Sequence, residues 1–256
     1  MIVKKLASLL AAALVLAGCG GTEQPGGQPP ASTGQAVTGE VTVFAAASLT
    51  ESFTQIGKDF EGVNPDAKVK FNFGGSSALA QQINQGAPAD VFASASPANM
   101  KQVTETGSVT FVRNKLQIAV AKGNPLKIAS LADLTNPDLK LALCAEQVPC
   151  GAAAKKAFEV AKLTPKPVTL EQDVKATLTK VRLGEVDAAL VYRTDVSAAA
   201  KDIDGVDFPE AAQAINDYPI VTLAKAPNAA GGKAFMDYVL SAKGREVLTK
   251  AGFDGP

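Results

Sequence analysis

The chain has no histidine and no tryptophan among its 256 residues, and only three cysteines. Without histidine there can be no Ser-His-Asp or Cys-His nucleophile and no imidazole ligand for a metal ion. Other catalytic signatures are missing too. There is no Gly-x-Ser-x-Gly elbow or Ser-x-x-Lys pair, no Gly-x-x-x-x-Gly-Lys-Ser/Thr phosphate loop and no Gly-x-Gly-x-x-Gly fingerprint. Neither charge is in excess, with 25 basic and 25 acidic side chains, so nothing suggests nucleic-acid binding by a general basic surface. There is no internal repeat and no coiled-coil heptad. Carboxylates such as Glu171, Asp173, Glu185 and Asp187 could in principle pair for acid–base work. Scattered near helix starts, they read as caps or solvated groups.

The longest apolar run, Leu6 to Gly18, is too short to span a bilayer comfortably and follows a cationic start, Met1-Ile2-Val3-Lys4-Lys5. It ends in Leu16-Ala17-Gly18-Cys19, which resembles a bacterial lipoprotein signal, with cleavage before Cys19 and lipid on its sulfur. The competing reading is an ordinary secretory signal. We expect residues 1–18 to be a signal peptide and residues 19–39 to be the lipid-anchor cysteine with a flexible tether. That stretch is rich in Gly, Pro, Gln, Ser and Thr and cannot bury enough apolar surface to fold. The other two cysteines, Cys144 and Cys150, flank a short segment. Export favours a disulfide between them, a small loop contributing roughly 2 kcal/mol. Two free thiols or a metal pair are the alternatives, and the absence of histidine disfavours zinc.

From Glu40 onward, β-rich runs alternate with helical ones. Strands are expected at 41–46, 67–73, 90–93, 116–121, 139–143, 186–192 and 218–224. Helices are expected at 50–61, 78–85, 151–163, 173–183, 233–243 and 244–251, with a helical fragment at 198–201. Such alternation implies an α/β fold with largely parallel sheets, whose sites lie at the carboxyl ends of strands.

Two serines stand out at such positions. Ser48 closes Val41-Thr42-Val43-Phe44-Ala45-Ala46-Ala47, and Ser76 closes Val69-Lys70-Phe71-Asn72-Phe73-Gly74-Gly75; each opens a helix. A strand-to-helix corner leaves first-turn N–H groups unpaired. With a hydroxyl and small neighbours it can hold an anion. The plainer reading makes each serine an N-cap.

The run Val43-Phe44-Ala45-Ala46-Ala47-Ser48-Leu49-Thr50 resembles the opening of the molybdate-binding proteins of ABC importers. So do Gly75-Ser76-Ser77-Ala78-Leu79, Gly86-Ala87-Pro88-Ala89-Asp90-Val91-Phe92, Val148-Pro149-Cys150-Gly151, Asp173-Val174 and Leu190-Val191-Tyr192, in the same order. The resemblance runs from about Val41 to Phe253. It implies a two-lobed periplasmic-binding-protein fold of type II, with mixed sheets flanked by helices and two crossing segments. One lobe would hold residues 40–117 plus 221–256 and the other 118–220, with Leu116–Ala121 and Tyr218–Ala224 as the crossings.

The resemblance also implies a ligand set. Ser48 and Ser76 would donate through hydroxyl and backbone N–H, Cys150 and Val174 through backbone N–H, and Tyr192 through its phenol. Alanine is frequent in the family where this chain has Cys150, and a backbone donor survives that change. Asp173 is expected to turn away from a bound anion and cap its helix. Such a shell has donors only, which suits a fully deprotonated tetrahedral dianion. A protonated oxyanion would face donors with its own proton, at about 1–3 kcal/mol.

The implied function is capture of molybdate, with tungstate, for delivery to an ABC permease membrane subunit. No cofactor, free metal cation, nucleic acid or catalysis is expected. The protein would be a monomer, anchored as a lipoprotein to the outer face of the cell membrane. A sulfate-type oxyanion binder, an envelope hydrolase and a ligand-sensing domain without transport are the alternatives.

Overall fold

A computed structural model describes residues 36–104 and 106–256. The expected signal peptide, Cys19 and most of the tether lie outside the described residues. In chain order the elements are β1 (Gly39–Ala46), α1 (Thr50–Val63), β2 (Ala67–Gly74), α2 (Ser76–Asn84), β3 (Val91–Ala93), α3 (Pro97–Lys101), β4 (Val109–Asn114) and β5 (Leu116–Ala121). There follow β6 (Leu141–Cys144), α4 (Pro149–Ala161), β7 (Thr169–Glu171), α5 (Val174–Arg182), β8 (Ala188–Tyr192) and α6 (Arg193–Ala198). The chain ends with β9 (Ile203–Val206), β10 (Asn216–Thr222), α7 (Ala229–Leu240) and α8 (Ala242–Lys250).

The strands form two five-stranded sheets, ordered β2-β1-β3-β10-β4 and β7-β6-β8-β5-β9. Period-two alternation sorts the first sheet's side chains onto two faces. Val41, Val43 and Ala45 of β1, with Val91 and Ala93 of β3, pack against Phe53, Ile56 and Phe60 of α1 and Phe235 and Val239 of α7. The intervening Phe44 and Phe92 point to the opposite face, against Leu79 and Ala80 of α2 and Met100 of α3. The second sheet builds its own core from Leu116, Ile118, Leu141 and Leu190, packed on Phe158 of α4 and Leu178 of α5.

Both sheets are mixed. β1 pairs in parallel with β2 and β3, and β6 with β7 and β8. β10 runs antiparallel to β3 and β4, and β5 antiparallel to β8 and β9. Alternation of strands and helices therefore overstates the parallel share. Parallel neighbours need a crossover connection, whereas strands reached from the other sheet carry no such constraint. β4 and β9 have no counterpart in the sequence reading. The helical segment expected at 198–201 lies earlier, as α6.

The chain passes between sheets at Lys115, between β4 and β5, and again over residues 207–215, between β9 and β10. These passages differ from the expected crossings. Leu116–Ala121 lies wholly in the second sheet, and residues 216–220, expected with the second lobe, pair in the first. The cause is register: Asn216 and Tyr218 face Asn114 and Val112 of β4, so pairing begins as soon as the chain arrives. A third link is not covalent. Arg113 and Asp254 exchange backbone hydrogen bonds of 2.9 and 3.0 Å. Arg193 of α6 donates from Nε to Gly252 O at 3.1 Å and pairs with Asp254 at 2.9 Å.

Phe53 is fully buried, and its ring lies 5.9–6.3 Å from those of Phe71, Phe111 and Phe235. Phe53→Ala is expected to lower the unfolding free energy by about 3–5 kcal/mol. Urea denaturation followed by circular dichroism measures this.

Candidate functional site

The carboxyl ends of β1, β2, β6, β7 and β8 each lead into a helical turn. Those ends meet around one small cavity between the two sheets. From the first sheet come Ala46, Ala47, Ser48, Gly74, Gly75, Ser76 and Ala95; from the second, Val148, Pro149, Cys150, Asp173, Val174 and Tyr192. All five residues singled out in the sequence thus line one wall or the other. The cavity has a volume of about 10 Å³, room for about one water-sized sphere. That is below the roughly 300–1,000 Å³ of pockets for drug-sized organic ligands.

Neither serine is an N-cap, which removes the plainer reading. Ser48 lies inside a single 3-10 turn, Ala47–Leu49, that leads into α1. Ser76 is the first residue of α2, whose cap position is Gly75. Ser76 Oγ accepts from the Ala95 N–H at 3.0 Å, and Ser48 Oγ lies 2.8 Å from Tyr218 Oη. Cys150 is the second residue of α4, after Pro149, and Val174 the first of α5. Backbone N–H groups in such first turns have no intrahelical partner. Asp173 caps α5, its Oδ1 accepting from Ala176 N–H at 2.9 Å, so its carboxylate is spent on the helix as expected.

Tyr192 ends β8 with only 1% of its surface exposed, and its Oη is buried without a hydrogen-bond partner. Burial pushes its pKa well above the usual phenol value, with the neighbouring Tyr218 and Asp195 adding to the shift. The group is therefore a permanent donor. Among the described residues, no lysine or arginine lines the cavity. Helix first turns face it instead, and their N–H dipoles favour negative charge.

Cys144 and Cys150 form a disulfide with Cα atoms 5.8 Å apart, tying the end of β6 to the start of α4. At Gly151 an added Cβ would fall 2.0 Å from Ala145 O, so only glycine lets α4 begin this close to the bridge. Where the sheets meet, a Cβ on Gly75 would fall 2.3 Å from Gln172 O. The Gly74-Gly75 pair in the sequence was the available sign of that contact.

Sequence reasoning missed a charged cluster beside the cavity. Lys175, next to Val174, reaches across to Glu51 of α1 at 2.7 and 2.8 Å and lies 3.0 Å from Asp195. The other Asp195 oxygen accepts from Tyr192 N–H at 3.2 Å. Burial raises the Asp195 pKa to about 6, against the lowering pull of Lys175. The Lys175 ammonium is itself raised, because the attraction of Asp195 and Glu51 outweighs the opposing effect of burial. Partners 124 residues apart left no local signal.

The chain matches the family model described as bacterial extracellular solute-binding protein over residues 41–254. It is 41% identical over 259 residues to the molybdate-binding protein ModA of Mycobacterium tuberculosis, an alignment that covers 98% of each chain. Among solved structures, the periplasmic molybdate-binding protein of Azotobacter vinelandii superposes with a TM-score of 0.75 at 20% identity, covering 84% of this chain and 99% of that one. The sulfate-binding protein SubI of Mycobacterium tuberculosis gives 0.72 at 16%, covering 84% and 86%. At those identities the two structures speak for the fold alone.

Asp195 holds its proton in the folded state to about pH 6, against about 3.9 for an unperturbed aspartate. Between these values the folded protein binds more protons than the unfolded one. Its stability from this group is full below the lower value and is lost as pH rises through the upper. Asp195→Asn removes the titration. From about pH 4 to about pH 7 the unfolding free energy of the variant should therefore rise relative to that of the parent. Denaturation curves at successive pH values give that difference.

Proposed function

The chain belongs to the bacterial extracellular solute-binding protein family, among its molybdate-binding members, and on that premise we propose that it captures molybdate, with tungstate as a second ligand, in the cavity between its sheets. In this reading β1–β4 and β10 with their helices form one lobe and β5–β9 the other. The anion accepts hydrogen bonds from the Ser48, Ser76 and Tyr192 hydroxyls and from first-turn N–H groups that include those of Cys150 and Val174. The observation that carries the proposal is the buried, unpartnered Tyr192 hydroxyl on a wall otherwise built of helix starts. An unmade hydrogen bond in such a place costs about 1–3 kcal/mol, which an acceptor ligand removes.

Closure follows from the same arrangement. A ligand that needs donors from both walls binds best where both are in place, and so shifts the protein toward that state. The Lys175–Glu51 pair spans the same seam and adds to closure. The loaded monomer then docks on the membrane subunit of an ABC permease. Cys19 carries lipid that holds the protein at the outer face of the cell membrane; the Leu16-Ala17-Gly18-Cys19 sequence supports this. The protein binds its ligand without transforming it, in keeping with a chain that lacks histidine.

Isothermal titration calorimetry with molybdate, tungstate, sulfate and hydrogen phosphate tests the assignment. Tight binding of the first two and no binding of hydrogen phosphate are expected. Sulfate binding tighter than molybdate would replace the ligand by a smaller tetrahedral dianion. Ser76→Ala and Tyr192→Phe should each weaken molybdate binding about 10- to 100-fold, as for loss of a hydrogen bond to a charged group. Wild-type affinity in both variants would refute the site.

A further inference from the structure

Tyr218 does not line the cavity, yet it touches both walls. Its Oη is 2.8 Å from Ser48 Oγ in a fully buried contact. Its ring meets that of Tyr192 edge-on at 6.0 Å and is backed by Phe253 at 5.5 Å. We propose that Tyr218 is a positioning residue for the ligand: its phenol donates to Ser48 Oγ, which leaves the Ser48 proton the bound oxyanion as its acceptor. This rests on the oxyanion-binding reading and adds to it a residue outside the cavity.

The direction of the hydrogen bond follows from the two hydroxyls. A phenol is far more acidic than an alkyl alcohol and is the better donor; the alcohol oxygen is the better acceptor. If Ser48 donated instead, the Tyr218 proton would need another acceptor inside the core, and Ser48 would turn lone pairs toward an anion. Burial raises the Tyr218 pKa, so the phenol keeps its proton. Ser76 provides a parallel, since its oxygen already accepts from Ala95 N–H and its proton is left for the cavity. On this assignment each serine oxygen accepts a hydrogen bond from the protein and the hydroxyl hydrogen is free to point inward. A chain of two hydroxyls ending on an anion also strengthens each link by polarisation.

Tyr218→Phe keeps the ring that supports Tyr192 and removes only the hydroxyl. Calorimetry with molybdate should show an affinity about five- to tenfold lower than wild type. In a Ser48→Ala background the same change should alter the affinity less than about twofold, because its route to the ligand is gone. An equal loss in both backgrounds, or none in the folded single variant, overturns the proposal. If Tyr218→Phe does not fold, neutron diffraction of deuterated wild-type protein decides. A deuteron on Tyr218 Oη directed at Ser48 Oγ is expected, and a Ser48 deuteron directed at Tyr218 refutes the inference. Should wild type bind none of the oxyanions, the functional reading fails, and the neutron result still settles the hydrogen-bond direction.

Discussion

Helix starts that converge on one small volume present a set of N–H groups that nothing inside the helices can satisfy. That constraint organises this protein. The first turns of α2, α4 and α5 open on the cavity, together with the 3-10 turn that carries Ser48. Bringing them together requires strands that end at the same level in two separate sheets, and a seam tight enough for Gly75 to rest against Gln172 O. The polar side chains around the cavity follow the same logic. Asp173 is turned to its own helix, and the Ser76 oxygen is occupied by Ala95 N–H. In the proposed reading, what remains facing inward is hydrogen-bond donors.

Cation charge is placed beside the cavity rather than in it. Lys175 is shared between Glu51 and Asp195, and so is largely neutralised where it stands. Exposed ion pairs contribute little by themselves, and Glu51 is about half exposed. Asp195 is fully buried, and its second oxygen holds the backbone of Tyr192. The cluster therefore links α1, which follows the turn of Ser48, α5, which begins at Val174, and α6, which follows Tyr192, through one ammonium group. In the proposed reading this gives closure an electrostatic component without offering the anion a mobile counter-ion.

Much of this could be read from the chain alone, and the limits have physical causes. Ser48 and Ser76 announce themselves because a hydroxyl flanked by small residues at a strand end is a local pattern. In the proposed reading Cys150 and Val174 act through backbone N–H groups, which any side chain could accompany, so only the family resemblance pointed to them. The mixed sheet order was legible only by resemblance as well, since a strand's sequence does not record its neighbour's direction. Tyr218 looked like part of a crossing strand; its partner Ser48 is 170 residues away, so nothing local in the sequence marked the contact. The disulfide was readable from export and spacing together, whereas the Gly151 contact that accompanies it needed coordinates.

The link at Asp254 has a mechanical consequence. Two polypeptide passages, at Lys115 and at residues 207–215, would by themselves allow the halves to wobble and twist as well as bend. The tail adds a third knuckle, held to β4 by paired backbone bonds and to α6 by the Arg193 guanidinium. In the proposed closing motion, three knuckles make a door hinge out of a ball joint. Each swing would then return the opposing walls to the same alignment.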